Sequence, residues 1–110
     1  MFKINKSPTF IHDVPVNVPV DGGVEEQFLK TRYRVLDLDQ LAKFELASGN
    51  DKQFAYVDAI VDGFEDLVDQ KGDAFTCTGP VRKQLLNTSY IRVALMRAYD
   101  EAMLGAKRKN

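Results

Sequence analysis

From Phe10 the chain alternates: Phe10, His12, Val14, Val16, Val18 and Val20 fall on one side, and Ile11, Asp13, Pro15, Asn17 and Pro19 on the other. A period of two sustained over this length predicts a β-strand. In an extended strand the N–H direction alternates with the side chains, so Pro15 and Pro19 remove donors from the same edge. The valine edge is therefore the one expected to pair, and the proline edge should face solvent or a loop. Asp21-Gly22-Gly23 offers the left-handed conformations that a tight reversal needs. A return strand is predicted over 24–35, with Leu29, Thr31, Tyr33 and Val35 on one face and Lys30, Arg32 and Arg34 on the other beside Phe28 and Leu36. An isolated hairpin is marginal in water, so one face must pack on something else.

After the hairpin the apolar spacing becomes helical. Asp37 is a good N-cap, Gln40 can close a capping box, and Leu36 and Leu41 fit a hydrophobic staple, predicting a helix over 38–47 that stops at Ser48-Gly49. Asn50 is the expected cap of the next helix, over 51–68, where Phe54, Val57, Val61, Phe64 and Val68 repeat at helical spacing with Ile60 and Leu67 alongside. Asp58, Asp62, Glu65, Asp66 and Asp69 occupy much of its opposite surface. Gly63 within this pattern costs about 1 kcal/mol against alanine, so an end or a bend is expected there. Residues 70–79 read as a polar loop with Phe75 as a core plug. Pro80 suits a first helical turn, with Val81, Leu85 and Leu86 marking a helix to Asn87. Ser89 opens a final helix with Ile91, Leu95, Ala98 and Ala102 in one apolar row and Met96, Tyr99 and Met103 beside it. Gly105 is the expected terminator, leaving 105–110 as a frayed basic tail. The predicted class is α+β: an N-terminal β-hairpin or small antiparallel sheet (1–36) packed on about four helices (37–104), in a single domain over 1–110.

The 110 residues suffice for one modest core, and 45% apolar with 28% charged residues argues against wholesale disorder. A lone cysteine excludes an internal disulfide and any multi-thiolate zinc site. No apolar run approaches the about 18 residues of a membrane span, and Met1-Phe2-Lys3-Ile4-Asn5-Lys6 is not a signal-peptide pattern, so a soluble domain from a reducing cytoplasm is expected. Charge is segregated: residues 37–73 hold ten Asp/Glu against three Lys/Arg, and residues 74–110 hold seven Lys/Arg against two Asp/Glu. Such asymmetry is consistent with attraction inside the monomer or with complementarity between copies or with a charged partner. His12 and Cys77 are the only residues of their kinds, and nothing links a strand histidine to a loop thiol as a nucleophilic pair. An EF-hand alignment on Gly72 would put Leu67 and Thr78 in ligand places, and neither G-x-x-x-x-G-K-[ST] nor G-x-G-x-x-G occurs. No catalysis, cofactor or metal is expected. Arg82, Lys83, Arg92 and Arg97 with the basic tail could touch phosphates, but a pI near 5.8 argues against nucleic acid as the partner.

The ends and the middle together resemble a known family. Met1-Phe2-Lys3-Ile4, then Pro8-Thr9-Phe10 and a valine-rich strand ending in Gly22-Gly23, resemble the start of the tail assembly chaperones of long-tailed bacteriophages and prophages. Ile60-Val61-Asp62-Gly63-Phe64 resembles the family's mid-chain block, with phenylalanine where tryptophan is more usual. Ala98-Tyr99-Asp100-Glu101-Ala102, then Gly105-Ala106-Lys107-Arg108-Lys109-Asn110, resembles its ending. The resemblance implies a non-enzymatic chaperone that binds the tape-measure protein, keeps it soluble and helps recruit the tail-tube protein, acting in the host bacterial cytoplasm and absent from the mature virion. It also implies a second, longer form made by frameshifting, for which Arg108-Lys109-Asn110 would need the codons xxA AAA AAC. Self-association is expected. Candidate partner-binding residues are Tyr90, Arg92, Met96, Arg97, Tyr99 and Met103 on the final helix, together with the exposed hairpin face; methionine suits a surface that covers repetitive clients. The alternatives are a structural tail component, tube or terminator-like, and a nucleic-acid-binding accessory protein.

Overall fold

The computed structural model describes residues 1–44 and 49–104. Two long strands, β1 (Thr9–Val20) and β2 (Gly23–Arg34), form the expected hairpin, paired in register from Thr9↔Arg34 to Val20↔Gly23. Gly22, at φ 81°, takes the left-handed conformation at the reversal. Four helices follow: α1 (Leu38–Ala42), α2 (Asn50–Ile60), α3 (Gly79–Leu86) and α4 (Ser89–Met103). A third strand, β3 (Val61–Glu65), adds antiparallel to β2, giving the sheet order β1-β2-β3. The class is α+β, as the alternating and helical patterns indicate. Because β1 is an outer strand, Pro15 and Pro19 lie on a strand with a free edge, where missing donors do no harm.

The core sits between one sheet face and the helices. Val14, Val16 and Tyr33 of the hairpin meet Val57 and Ile60 of α2, Val61 and Phe64 of β3, Leu86 of α3, and Leu95, Ala98 and Tyr99 of α4. The two hairpin strands contribute alternate residues, as a half-covered sheet requires. Phe10, Tyr33 and Tyr99 form an aromatic cluster, with ring centroids of Tyr33 5.3 Å from both Phe10 and Tyr99. The Tyr33 hydroxyl donates to the Leu95 carbonyl at 2.9 Å. The Tyr99 hydroxyl donates to the Arg34 carbonyl at 3.0 Å and accepts the Leu36 N–H at 3.1 Å.

Burial raises the pKa of Tyr33, Tyr99 and Tyr56, the last pushed up to about 12, with Asp100 adding to each shift. A phenol is protonated in both states below pH 10. Above it the unfolded chain releases the proton while the fold retains it, so stability falls as pH rises from about 10 toward 12. Denaturation midpoints are expected to be flat between about pH 7 and 9 and to drop sharply by about pH 11, with phenolate absorbance appearing together with unfolding.

Several local expectations are corrected. The helix predicted over 51–68 ends at Ile60, where Arg34 and Arg82 occupy its last carbonyls. Arg34 Nη1 donates to Asp58 O and Ala59 O, and Arg82 Nη2 donates to Asp58 O and Val61 O. Cations on the orphan carbonyls of a helix end satisfy them and complement its dipole. Asn50 is the first helical residue rather than the cap; the cap is Gly49, at φ 84°, without a side-chain bond. The first helix keeps its capping box, with Gln40 N–H donating to Asp37 Oδ1 and Asp37 N–H to Gln40 Oε1, but ends at Ala42. Its expected stop at Ser48 lies outside the described residues, as do Gly105 and the basic tail. Phe75 is no core plug: it is 45% exposed, while Cys77 of that loop, with Leu67 just before it, packs against the core. Thr78 accepts from Val81 N–H as the cap of α3, with proline in its first turn.

Candidate functional site

Among the described residues, no three or more His, Cys, Asp or Glu side chains converge as metal ligands, and no helix is long and apolar enough to cross a membrane. His12 is exposed on β1 and Cys77 is half-buried before α3. What the fold presents instead is uncovered apolar surface.

Helix α4 divides the six residues singled out on it. Tyr90, Arg97 and Met103 are exposed, and Met96 is half-buried against the core. Arg92 and Tyr99 are corrections: both are buried and their polar groups are used internally. Tyr99 ties α4 to the end of β2 as described above. Arg92 donates from Nε to Leu86 O (2.9 Å), from Nη1 to Asn50 Oδ1 (2.7 Å) and from Nη2 to Asn87 Oδ1 (2.8 Å), and its guanidinium lies 5.8 Å from the Phe54 ring centroid. Among the described residues no carboxylate pairs with this cation; four neutral groups from α2, α3 and the α3–α4 turn hold it. The exposed apolar residues that sequence reasoning passed over are Val93 on α4 and Leu104 at its C-cap. Their spacing places them on the side opposite Leu95 and Ala98, a signal that was available.

The second surface is the sheet face that none of the described helices covers. Ile11, Pro15, Pro19, Val24 and Phe28 lie there, with Pro15 opposite Phe28 and Pro19 opposite Val24. Val24 is 67% and Phe28 65% exposed. Beside them runs a ladder of ion pairs from β2 to the β3 region: Lys30–Asp66 at 3.2 Å, Arg32–Glu65 at 2.9 Å and Arg34–Asp62 at 3.1 Å. Asp58–Arg82, at 2.8 Å, joins the acidic middle to the basic final third. The acidic middle is thus neutralised in part inside the monomer, and mostly by the hairpin rather than by the C-terminal third. Each pair has at least one substantially exposed partner, so solvent screening keeps its contribution to stability small.

The third surface is a groove of about 210 Å³ under the far half of the hairpin, lined by Val16, Val18, Leu29, Leu67, Leu85 and Ile91, with Phe28 and Val68 also bordering it. It is smaller than the about 300 Å³ at which small-ligand pockets begin, and its lining is suited to side-chain insertion.

No family model matches the chain, and neither the curated proteins nor the solved structures include a match.

Proposed function

We propose that this protein is a non-enzymatic assembly chaperone that covers apolar helical surface on a client chain, in the manner of the phage tail assembly chaperones its sequence resembles. On this reading the client is a tape-measure protein, with tail-tube protein recruited afterwards, and the protein acts in the host cytoplasm and leaves before the virion is complete. The observation that supports it is the uncovered hairpin face, where Val24 and Phe28 stand open beside a fixed row of ion pairs. An apolar strip with a charged border is what an amphipathic helix needs on its partner. Exposed apolar residues grouped in this way mark interaction surfaces more often than single ones do.

Co-expression with the tape-measure gene of the same cluster tests the reading. The tape-measure protein should move into the soluble fraction and co-purify with this chain, and an unchanged soluble fraction would sink the proposal. Phe28→Asp should weaken co-purification by about tenfold, equivalent to about 1.4 kcal/mol, while leaving thermal unfolding unchanged, because the side chain is open to solvent. Mass spectrometry of purified particles should find the chain absent; its presence would favour a structural tail component instead.

A further inference from the structure

We infer that the helix covering the open hairpin face is cationic: an amphipathic segment whose apolar stripe is bordered by lysine or arginine. The inference rests on the chaperone reading for its occupant and adds the chemistry that selects it.

The charges on this face do not cancel. Asp13 stands between Ile11 and Pro15 on β1, and Glu26 between Val24 and Phe28 on β2; all six are exposed and alternate along one side of the hairpin. The cations of the same side are already engaged, since Lys30, Arg32 and Arg34 hold Asp66, Glu65 and Asp62. Neither Asp13 nor Glu26 has an ion-pair partner among the described residues. Asp13 lies opposite Lys30, but that ammonium donates to Asp66 Oδ2. Arg97 of α4 lines a cleft with Glu26, and Glu101 lines it too and offsets that guanidinium. An apolar strip interleaved with two uncompensated carboxylates favours a partner that brings cations and disfavours one that brings phosphates or further carboxylates.

The strip also fits a helix in length. Ile11 to Pro19 spans about 27 Å at the rise of a strand, which about 18 helical residues match. Pro15 with Phe28, and Pro19 with Val24, form two apolar crossbars about 13 Å apart. A continuous i, i+3, i+4, i+7 stripe has an apolar residue for each crossbar. A lysine at its border lays its stem on the strip and its ammonium beside Glu26 or Asp13.

The probes are two synthetic peptides of about 18 residues, held helical by a side-chain staple, with the same leucine stripe and either lysine or glutamate along its borders. Fluorescence anisotropy should show the lysine peptide binding at least about tenfold more tightly, a preference that narrows as ionic strength rises. Asp13→Asn/Glu26→Gln should erase the preference. Phe28→Asp should weaken binding of the lysine peptide by about tenfold although it makes the face more acidic, which separates this site from bulk attraction to a chain of pI near 5.8. All three side chains are exposed, so unfolding temperatures should not move. Equal binding of the two peptides, binding of neither, a preference that survives the double substitution, or a Phe28→Asp chain that binds as wild type would each overturn the inference. So would a dimer that Phe28→Asp dissolves without peptide, since a second copy would then occupy the face. Co-expression judges the chaperone reading separately: a rescued tape-measure protein beside indifferent peptides sinks this inference alone, and a clear preference without rescue sinks only the client.

Discussion

Arg92→Ala is expected to lower the unfolding free energy by about 3 kcal/mol, because hydrogen bonds to a buried charged group carry about 1.5–3 kcal/mol each before the site relaxes. The unfolding temperature should fall by about 15 °C for a chain of this length. Arg92 is 7% exposed and its guanidinium serves three acceptors: the carbonyl of Leu86 and the side-chain oxygens of Asn50 and Asn87. Arg92→Lys should recover less than half of the loss, since an ammonium cannot reproduce the planar fork or its place over Phe54. Chemical denaturation of the three proteins measures this, and an Arg92→Ala protein as stable as wild type would refute the structural role given to this residue.

Tyr99→Ala should cost about 4 kcal/mol, the range for removing a large buried aromatic. Tyr99→Phe separates the hydroxyl from the ring, and its share should be about 2 kcal/mol, because the Leu36 N–H and the Arg34 carbonyl both lose a partner. Tyr33→Phe is the control. Its hydroxyl donates to Leu95 O, a carbonyl within α4 that also accepts a helical bond, so its loss should be about 1 kcal/mol. The contrast between the two phenylalanine variants reads the same chemistry in two environments, and equal losses would show that the Leu36 and Arg34 groups find other partners.

The hairpin was legible because alternation is a direct imprint of the pleat, and the capping box at Asp37 because both partners lie three residues apart in the chain. Strand β3 was hidden by a coincidence of spacing. Tyr33 pairs with Val61 and Arg32 with Gly63, so Asp62 is an extra residue at a bulge. The bulge lets Val61 and Phe64, three apart, share the inward face, and with Val57 and Val68 they imitate helical periodicity. What ends α2 is supplied from a distance, by Arg34 and Arg82, and no local signal announces it. The role of Arg92 was hidden for a related reason. An arginine on a helix reads as surface, and its acceptors are two asparagines and a carbonyl from two separate segments, Asn50 and Leu86-Asn87. On the candidate surfaces, the exposed hairpin face was foreseeable from Phe28 standing among Lys30, Arg32 and Arg34. The groove was not, since it needs the long-range approach of 66–68 to Leu85 and Ile91.

The unequal lengths of the three strands carry a dynamic consequence. Strand β3 accompanies β2 only from Lys30 to Tyr33, and the core contacts of β1 stop at Val18, so the tip from Pro19 to Val24 is a two-stranded ribbon anchored at one end. Such a span twists and opens on its own, with little tie to the unfolding of the whole molecule. Amide protons near the Asp21–Gly22 turn should therefore exchange with deuterium long before those of Tyr33 or Leu95, and the same turn is the natural place to insert a reporter sequence without disturbing the remainder.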